Sequence, residues 1–325
     1  MKETLKEKFA QANPWRLLWL LFLALLTLVY VLNVSRPGRV ESCLHGCAQA
    51  RQKDAEELRV ISFNVLHGFP RFHNLTPRLD LIAAEIQHVD ADIIILQEVP
   101  WNIFLRSGAH YLAEKAGMNY VARSANGNRW TILFSEGEAI LSRYPLKDVR
   151  SVELQPQAGF FEHRIALEAT VETQQGDVRA VGTHLSSDNK QANRIQADAL
   201  VQFVQAGTDL PVFIGGDFNA LEGSPQIRRL SQQWVDTYRE VHMADPGYTC
   251  CVDDLSTRSY AHFMKRIDYL FLAQGASSSL QILDSQVIFN HPFSLPGGGW
   301  QWASDHAGVM TSVSRSSNLV NGKLK

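Results

Sequence analysis

The sequence predicts an α/β protein with a four-layer sandwich, in which two packed mixed β-sheets are flanked by helices and preceded by one transmembrane helix. Three observations lead to this prediction. Short apolar runs typical of strands alternate with a few amphipathic helical patterns over most of the chain. The chain has 325 residues, 45% of them hydrophobic, which is enough to bury one large core. A long apolar stretch without charges precedes this region.

The N-terminal stretch predicts a membrane anchor. Residues 17–32 carry no charge, and Trp15 and Trp19 stand where interfacial aromatic residues are common. At about 1.5 Å of rise per residue, residues 15–34 reach roughly the 30 Å thickness of the hydrocarbon core. More basic residues precede the anchor than directly follow it, so we expect a single-pass membrane protein with residues 1–14 cytoplasmic and the folded domain extracytoplasmic.

The remainder of the chain divides into three parts. Residues 35–57 contain Pro37, Gly38 and many charges without clear periodicity, which predicts a stalk. The folded domain is expected over residues 58–315, followed by a polar tail over residues 316–325. No internal repeat is visible.

Within the domain, a helix is predicted to open at Thr76, and a second is predicted over residues 191–205 with Ile195, Ala199 and Phe203 on its buried face. Strands are predicted at RVISFNV, DIIILQEV, EAILSR, RIALEATVE, VRAVGTHL, PVFIGGDFN, RIDYLFL and GVMTSV.

Charge and cysteine content exclude little. With 31 Lys and Arg against 33 Asp and Glu, the net charge of -2 argues against a surface built mainly for nonspecific nucleic-acid binding. The cysteines lack the spacing of a zinc site. Cys43 and Cys47 are compatible with a disulfide or with unpaired thiols, and the sequence predicts no obligate protein partner.

Several predicted strands end in a polar residue suited to metal or phosphate chemistry. A carboxylate at the mouth of a buried strand is costly to desolvate unless a cation or hydrogen bonds offset the cost. Several such strand ends therefore indicate one shared, metal-centred site. The residues concerned are Asn64, Glu98, His184, Asp217, Asn219, Asp268, Asp305 and His306.

Taken singly, each of these residues also has a structural explanation. Asn64 is suited to capping a turn, His184 to a hydrogen-bonded position in the core, and Asp268 to pairing with a neighbouring arginine. The segment GGDFN is more specific, because its two glycines permit a tight turn that presents Asp217 and Asn219 on the same side.

In their joint order, these motifs resemble the signatures of the endonuclease/exonuclease/phosphatase superfamily, which includes deoxyribonucleases, apurinic endonucleases, inositol phosphatases and sphingomyelinases. The resemblance spans residues 58–315. The matching segments are FNV at 63–65, LQEV at 96–99, AILSRYP at 139–145, GTHL at 182–185, GGDFNA at 215–220, RIDYLF at 266–271 and SDH at 304–306.

The resemblance implies a metal-dependent phosphoesterase that hydrolyses a phosphodiester or phosphomonoester. Asn64, Glu98 and Asp305 would hold a divalent cation, Mg²⁺ or Mn²⁺, which prefers oxygen ligands. Asp217 would orient or deprotonate the attacking water, and Asn219 would contact the phosphate as charge develops.

The same resemblance assigns the remaining polar residues to the phosphate. His306, oriented by Asp268, would face the scissile phosphate, and His184 would hydrogen-bond one of its oxygens. Arg164 matches an arginine that binds phosphate in relatives, although a solvated charge at a strand end explains it equally well. Glu136 is a weaker match, as a residue that orients His184.

The sequence leaves the substrate open between a lipid headgroup and a nucleic acid. The anchor and the loop 292–302 favour a lipid, because Phe293, Trp300 and Trp302 stand directly before the SDH motif. Tryptophans at this place are equally suited to stacking on bases of DNA or RNA, or to packing on the domain. A catalytically inactive binding module is a further alternative that the complete motif set disfavours.

Overall fold

The computed structural model describes residues 13–32, 35–48, 57–159, 161–207, 209–259, 263–275, 280–295 and 297–315. Most of the predicted cytoplasmic segment, part of the predicted stalk and the predicted polar tail therefore lie outside the described residues. In the described chain the helices are α1 (Pro14–Leu32), α2 (Leu75–His88), α3 (Gly108–Ala116), α4 (Lys190–Gln205), α5 (Pro225–Ser231) and α6 (Thr237–Val241).

The strands follow in chain order as β1 (Val40–Cys43), β2 (Glu57–Asn64), β3 (Ile93–Asn102), β4 (Arg106–Ser107), β5 (Asn119–Asn128), β6 (Phe134–Ser142), β7 (Leu146–Glu153), β8 (Ile165–Thr173), β9 (Gly176–His184), β10 (Val212–Asp217), β11 (Val235–Asp236), β12 (Asp268–Ala273), β13 (Leu280–Ile288), β14 (Phe293–Ser294), β15 (Trp300–Gln301) and β16 (Gly308–Arg315).

Two mixed sheets form the centre of the molecule. The first has the order β1-β5-β6-β3-β2-β16-β13, with β4 paired to β3, and the second has the order β11-β12-β10-β9-β8-β7. Each contains one parallel pair, β2 with β3 and β10 with β9, among antiparallel neighbours. The predicted α/β sandwich of two mixed sheets is therefore confirmed.

The core has three apolar layers that hold the sandwich together. Between the sheets, side chains such as Ile95 and Val60 from the first sheet meet Phe213 from the second. Helices α2 and α3 cover the outer face of the first sheet, and α4 and α5 cover the second. Burial of a side chain such as Ile95 contributes roughly 1.5–3 kcal/mol, so these layers supply most of the favourable energy of folding.

The predicted transmembrane anchor is wrong. Among the described residues, no helix is both long enough and apolar enough to cross a membrane. Helix α1 has 19 residues, and at helical rise this gives about 28 Å, short of the roughly 30 Å of hydrocarbon that a span must cross. The anchor over residues 15–34 and the single-pass membrane localisation with an extracytoplasmic domain are both corrected by this finding.

Part of the segment interpreted as a stalk joins the first sheet. Strand β1 pairs antiparallel with β5, with Val40 opposite Arg123 and Cys43 opposite Tyr120. Cys43 is joined to Cys47 by a disulfide. The sheet therefore begins before residue 57, at an edge strand that the sparse apolar pattern of this segment did not reveal.

The loop 292–302 folds onto the domain. Its strands β14 and β15 form a small hairpin. Trp302 is fully buried, lies edge-on to Phe263 at 5.3 Å and donates its indole N–H to the carbonyl oxygen of Thr257 at 2.9 Å. Trp300 is half-buried beneath the guanidinium of Arg258. These contacts favour the packing explanation of the loop over a lipid-inserting one.

Replacement of Trp302 by alanine is therefore expected to lower the free energy of unfolding by about 3–5 kcal/mol, as for other fully buried aromatic residues. Urea unfolding measures this effect, with Trp130→Ala as the matched control because Trp130 is 91% exposed. The control should change stability by less than about 0.5 kcal/mol. An unchanged unfolding midpoint for Trp302→Ala would show that the loop does not depend on this packing.

Candidate active site

The predicted site residues meet at one end of the two sheets because neighbouring strands end there in register. Asp217, the last residue of β10, lies opposite His184 on β9 and opposite Asp268 on β12. Asn64 ends β2 on the facing sheet. Carboxyl ends of parallel strands share one sheet edge, so this topology brings polar side chains together at one end of the sandwich. We call this end, around Asn64, His184, Asp217 and Asp268, the mouth.

The glycines of the GGDFN segment are required by close packing between and within the sheets. A Cβ atom on Gly215 would lie 2.8 Å from the side chain of Ser62 on the facing sheet, and one on Gly216 would lie 2.5 Å from the carbonyl oxygen of Thr183. Both distances are too short for a real side chain. Glycine at these two positions lets β10 approach the first sheet closely and brings Asp217 next to Asn64.

Asp217 is the centre of the site. Its Oδ2 lies 3.2 Å from Asn64 Nδ2, 3.5 Å from His184 Nε2 and 3.8 Å from His306 Nε2. Its Oδ1 accepts the backbone N–H of Asn219 at 2.9 Å. Burial and the neighbouring carboxylate of Asp268 raise the pKa of Asp217 to about 7, against the lowering effect of His306. A carboxyl group with this pKa is suited to exchange protons near neutral pH.

His306 forms a buried pair with Asp268. The ring Nδ1 lies 2.9 Å and 3.1 Å from the two carboxylate oxygens. Burial acts to lower the pKa of His306, but the charges of Asp268 and Asp217 outweigh it and raise that pKa well above the usual value. His306 is therefore held as an imidazolium, with Nε2 3.8 Å from Asp217 Oδ2 and not hydrogen-bonded to it.

His184 lies on the other side of Asp217 from His306, and unlike His306 it is neutral. Its Nε2 lies 2.9 Å from the side-chain amide nitrogen of Asn219, and its buried Nδ1 has no partner among the described residues. Burial, together with the positive charges of Arg164 and His306, lowers the pKa of His184 well below the usual value. The site thus combines one neutral and one charged imidazole about the same carboxylate.

Glu98 projects from an irregular position in β3. The register between β3 and β6 shifts between Leu96 and Val99, and Glu98 adopts a positive φ of 56°. Its carboxylate accepts Asn64 Nδ2–H at 3.1 Å and the backbone N–H of His67 at 3.2 Å. Burial acts to raise the pKa of Glu98, but His67 and Asn64 outweigh it and the net pKa is lowered. The irregularity in β3 therefore directs the ionised carboxylate of Glu98 toward the mouth.

Asp305 lies on the other side of the mouth, where it lines a pocket of about 530 Å³ together with Arg78. Burial raises the pKa of Asp305, although the neighbouring His306 opposes this effect. Arg78 is fully buried and donates to the carbonyl oxygens of Val65, Leu66 and Ala303. Burial lowers the pKa of Arg78 to about 10, while Asp305 and Glu98 oppose that shift.

The donor set at this mouth fits a hard divalent cation. Glu98 and Asp305 offer carboxylate oxygens, and the charge of Glu98 adds to the effect of burial in raising the pKa of Asp305. Asn64 Oδ1 accepts the backbone N–H of Leu66 and retains a second lone pair. Oxygen-only donors with excess negative charge are the ligands that Mg²⁺ and Mn²⁺ prefer.

A second group of donors lies beside this set. In the described part of the chain, Asp217, Asp268 and His306 also bring potential ligand atoms within 4.8 Å of one another. His306 Nδ1 is already engaged by Asp268, so these residues are better suited to hydrogen bonding and proton exchange than to coordination.

Arg164 is buried at the start of β8, where its guanidinium lies 2.9 Å from Glu162. It lines a pocket of about 520 Å³ together with Glu98 and His184. The solvated-charge explanation of Arg164 therefore does not fit its position. The structure brings all nine predicted site residues, Asn64, Glu98, Arg164, His184, Asp217, Asn219, Asp268, Asp305 and His306, to the same end of the sandwich.

Sequence reasoning missed three polar residues of this region. Arg78 stands three residues after Leu75 and four before Ile82, so a charged residue on the apolar face of α2 was its visible signal. His67 contacts Glu98 from a loop, and no pattern in the sequence indicated it. Glu138 is buried in β6, and one of its side-chain oxygens has no hydrogen-bond partner within the described part of the chain. Burial and the neighbouring Glu136 raise the pKa of Glu138 well above the usual value.

Comparison with known proteins places this geometry in a known family. The model of the endonuclease/exonuclease/phosphatase family matches residues 61–306. This range extends from β2 to His306 and contains all nine predicted site residues. Comparison with curated protein sequences gave no match.

Solved structures of low sequence identity share the fold. A mannosyl-6-phosphatase from Bacteroides thetaiotaomicron is 18% identical with a TM-score of 0.63, covering 79% of this chain and 99% of its own. A D. rerio TDP2 humanized by 14 mutations is 18% identical with a TM-score of 0.61, covering 80% and 100%. A family protein from Leptotrichia buccalis is 20% identical with a TM-score of 0.58, covering 78% and 98%.

The family match spans most of the chain, and its name covers nucleases and phosphatases, which hydrolyse phosphate esters. The chain belongs to the endonuclease/exonuclease/phosphatase family.

Proposed function

We propose that the protein is a hydrolase of phosphate esters that depends on a divalent cation, Mg²⁺ or Mn²⁺. The observation that carries this proposal is the convergence of Asn64, His184 and His306 on one carboxylate oxygen of Asp217. Hydrolysis of a phosphate ester requires a base for the attacking water and donors for the oxygens on phosphorus. The mouth supplies both within a few ångströms.

Asp217 serves as the base in this mechanism. Its pKa of about 7 allows Oδ2 to accept a proton from water near neutral pH. The water oxygen forms the new bond to phosphorus, the ester P–O bond breaks, and the departing alkoxide takes a proton from solvent. The N–H of Asn219 on Oδ1 leaves Oδ2 directed toward the substrate.

His306 stabilises the charge that develops on phosphorus, and Asn219 positions His184, because its side-chain amide donates to His184 Nε2 at 2.9 Å and to the carbonyl oxygen of Leu185 at 3.0 Å. The imidazolium of His306 is oriented by Asp268 through Nδ1, so its Nε2–H is available to a phosphate oxygen. Asn219 holds a positive φ of 48°, which fixes its side chain between His184 and the strand mouth. Neutral His184 and the guanidinium of Arg164 bind the remaining oxygens.

Asn64, Glu98 and Asp305 are the residues proposed to hold the cation, which when bound supplies positive charge against the phosphate oxygens. Without such charge, a dianionic phosphate would meet the carboxylates of Glu98 and Asp305 directly. Arg78, where burial lowers the pKa and the charges of both carboxylates oppose that effect, already donates to three carbonyl oxygens.

Replacement of His306 by alanine is expected to lower kcat by about 10²–10³-fold with a smaller change in KM, because its donor acts on charge formed in the transition state. Asp268→Asn should produce part of this loss, since it removes the charge that keeps His306 protonated. Steady-state kinetics measures both, with His110→Ala as a control at an exposed helix position. Full activity of His306→Ala would remove the imidazolium from the mechanism.

A substrate panel tests the proposed activity. The purified full chain is offered bis(p-nitrophenyl) phosphate, p-nitrophenyl phosphate, mannose phosphate, single-stranded DNA and RNA, each with Mg²⁺, with Mn²⁺ or with EDTA. We expect hydrolysis of at least one class with metal and none with EDTA. Cleavage that is equal with and without EDTA would contradict the proposed cation, and inactivity on every ester would contradict the proposed function.

A further inference from the structure

Arg78 is a buried cation on the apolar face of helix α2 that the proposed chemistry does not use. It is as fully buried as its helix neighbours Leu79 and Ile82. Removal of a guanidinium from water is costly unless hydrogen bonds and opposite charges offset the cost. An aliphatic side chain would pack on this face without that cost. The partners of the guanidinium therefore indicate what Arg78 does.

Three backbone carbonyl oxygens accept hydrogen bonds from the guanidinium. Nη1 donates to the carbonyl oxygens of Val65 at 2.8 Å and Ala303 at 3.0 Å, and Nη2 donates to that of Leu66 at 2.8 Å. Val65 and Leu66 directly follow β2, whereas Ala303 lies between β15 and β16. These two segments are far apart in the sequence, and Arg78 links them through a single side chain.

The segment after β2 orients two of the residues proposed to hold the cation. The backbone N–H of Leu66 donates to Asn64 Oδ1 at 3.0 Å, and the backbone N–H of His67 donates to Glu98 Oε2 at 3.2 Å. Leu66 adopts a positive φ of 55°, which a residue other than glycine keeps only when its surroundings hold it. Leu66 is thus bound to a proposed ligand through its N–H and to the guanidinium through its carbonyl oxygen.

The segment before β16 carries the third of these residues. Ala303 stands two residues before Asp305, whose Oδ1 accepts the hydroxyl of Ser304 at 3.2 Å. The bond from Arg78 to Ala303 therefore fixes the segment that presents Asp305. Burial lowers the pKa of Arg78, and the charges of Asp305 and Glu98 oppose that effect, so the guanidinium lies within electrostatic reach of both carboxylates.

We propose that Arg78 is a positioning residue for the divalent cation, because its guanidinium joins the backbone after Asn64 to the backbone before Asp305 and so fixes the spacing of the ligands. The inference rests on the proposed function, which assigns Asn64, Glu98 and Asp305 to the cation. A planar guanidinium serves several acceptors in fixed directions, whereas the ammonium group of lysine keeps the charge without the fork. Loss of a group that orients a metal ligand typically lowers metal affinity by about 10–100-fold.

The charge of Arg78 and its hydrogen bonds have opposite effects on the affinity for a cation. A positive charge beside the site repels the cation, so its removal alone would strengthen the binding of Mn²⁺. Loss of the three hydrogen bonds would instead weaken binding, because Asn64 and Asp305 would no longer be held at a fixed spacing. The direction of the change in affinity therefore separates the two effects.

The test is calorimetric titration of the full chain with Mn²⁺, at a temperature well below the melting temperature of each variant. Arg78→Met and Arg78→Lys should each weaken binding by about 10–100-fold. Leu79→Ala is the matched control, because Leu79 is also fully buried on α2 and contacts no proposed ligand through a hydrogen bond. It should lower the melting temperature and leave the affinity for Mn²⁺ unchanged.

Unchanged or tighter Mn²⁺ binding by Arg78→Met, or a loss no larger than that of Leu79→Ala, would overturn the inference. Full affinity of Arg78→Lys would also overturn it, because charge alone would then be sufficient. These outcomes leave the proposed function intact if Glu98→Gln weakens Mn²⁺ binding and metal-dependent hydrolysis is observed. Conversely, Mn²⁺ binding that depends on Arg78 in a protein that hydrolyses no ester would support the inference and contradict the proposed function.

Discussion

Asp217→Asn is expected to reduce kcat by about 10²–10⁴-fold, the range for loss of a general base. The substitution keeps the shape of the side chain but replaces the Oδ2 that lies near Asn64, His184 and His306. An amide cannot accept the proton of the attacking water. Steady-state kinetics on an activated phosphodiester measures this loss, and the value of KM should change less than kcat.

Thermal unfolding separates this chemical effect from damage to the fold. Burial and Asp268 raise the pKa of Asp217, so its ionised form destabilises the folded state, and a neutral amide removes that repulsion. The melting temperature of Asp217→Asn should therefore not fall. Asp284→Asn, at an exposed position of β13, serves as the control with unchanged activity. Near-normal turnover by Asp217→Asn would refute its assignment as the base.

Glu98→Gln is expected to raise the concentration of Mg²⁺ required for half-maximal activity by at least about 10–100-fold. This is the loss typical of residues that only support a metal ligand, so it sets a lower bound for a direct ligand. The amide removes one of the two carboxylate charges, those of Glu98 and Asp305, that are proposed to attract the cation. Activity against Mg²⁺ concentration and calorimetric titration with Mn²⁺ both report this change.

The control for Glu98→Gln is Glu114→Gln, because the side chain of Glu114 is 74% exposed on helix α3. It should leave the metal requirement unchanged. If Glu98→Gln binds Mn²⁺ as tightly as the unsubstituted protein, Glu98 is not a ligand and the cation site must lie elsewhere at the mouth. Loss of activity with unchanged Mn²⁺ affinity would assign Glu98 a role in orienting Asn64 and His67.

The assembly of the site could be predicted because it depends on strand ends. The apolar runs that end at Asn64, His184 and Asp217 predict where these residues lie, because parallel strands end at the same edge of a sheet. The glycines before Asp217 gave a further signal, which the close approach to Ser62 now explains. The roles of these residues in catalysis remain predictions.

Residues that act through loops or through buried hydrogen bonds could not be predicted in the same way. Helix α4 was expected to bury Ile195, Ala199 and Phe203, but Ile195 is 44% exposed and Ala199 and Phe203 are only partly buried. The buried face instead consists of Ala192, Asn193, Gln196, Ala197, Leu200, Val201 and Val204, so it includes two polar residues. Asn193 donates to the carbonyl oxygens of Ser186 and Phe218, which fixes the turns that follow His184 and Asp217. Apolar periodicity does not detect a helix face that is buried for hydrogen bonding.

Two predictions based on apolar composition alone were not supported, because composition does not show how a segment folds or what it packs against. The N-terminal apolar segment predicted a membrane span, but the helix that forms there falls short of the required length. The tryptophans of residues 292–302 suggested a lipid-binding loop, whereas Trp302 is fully buried. Exposed aromatic residues beside the site lie instead at Phe69 and Phe161, which had no periodic signal because they belong to loops.

The most direct test of the proposed catalytic site is turnover of bis(p-nitrophenyl) phosphate by the full chain after EDTA treatment and after Mg²⁺ or Mn²⁺ is restored. The unsubstituted protein should be inactive with EDTA and regain activity with metal. Asp217→Asn should remain inactive at every metal concentration, and Glu98→Gln should recover only at high metal. Equal turnover by all three proteins, or turnover that persists in EDTA, would contradict a metal-dependent hydrolase centred on Asp217.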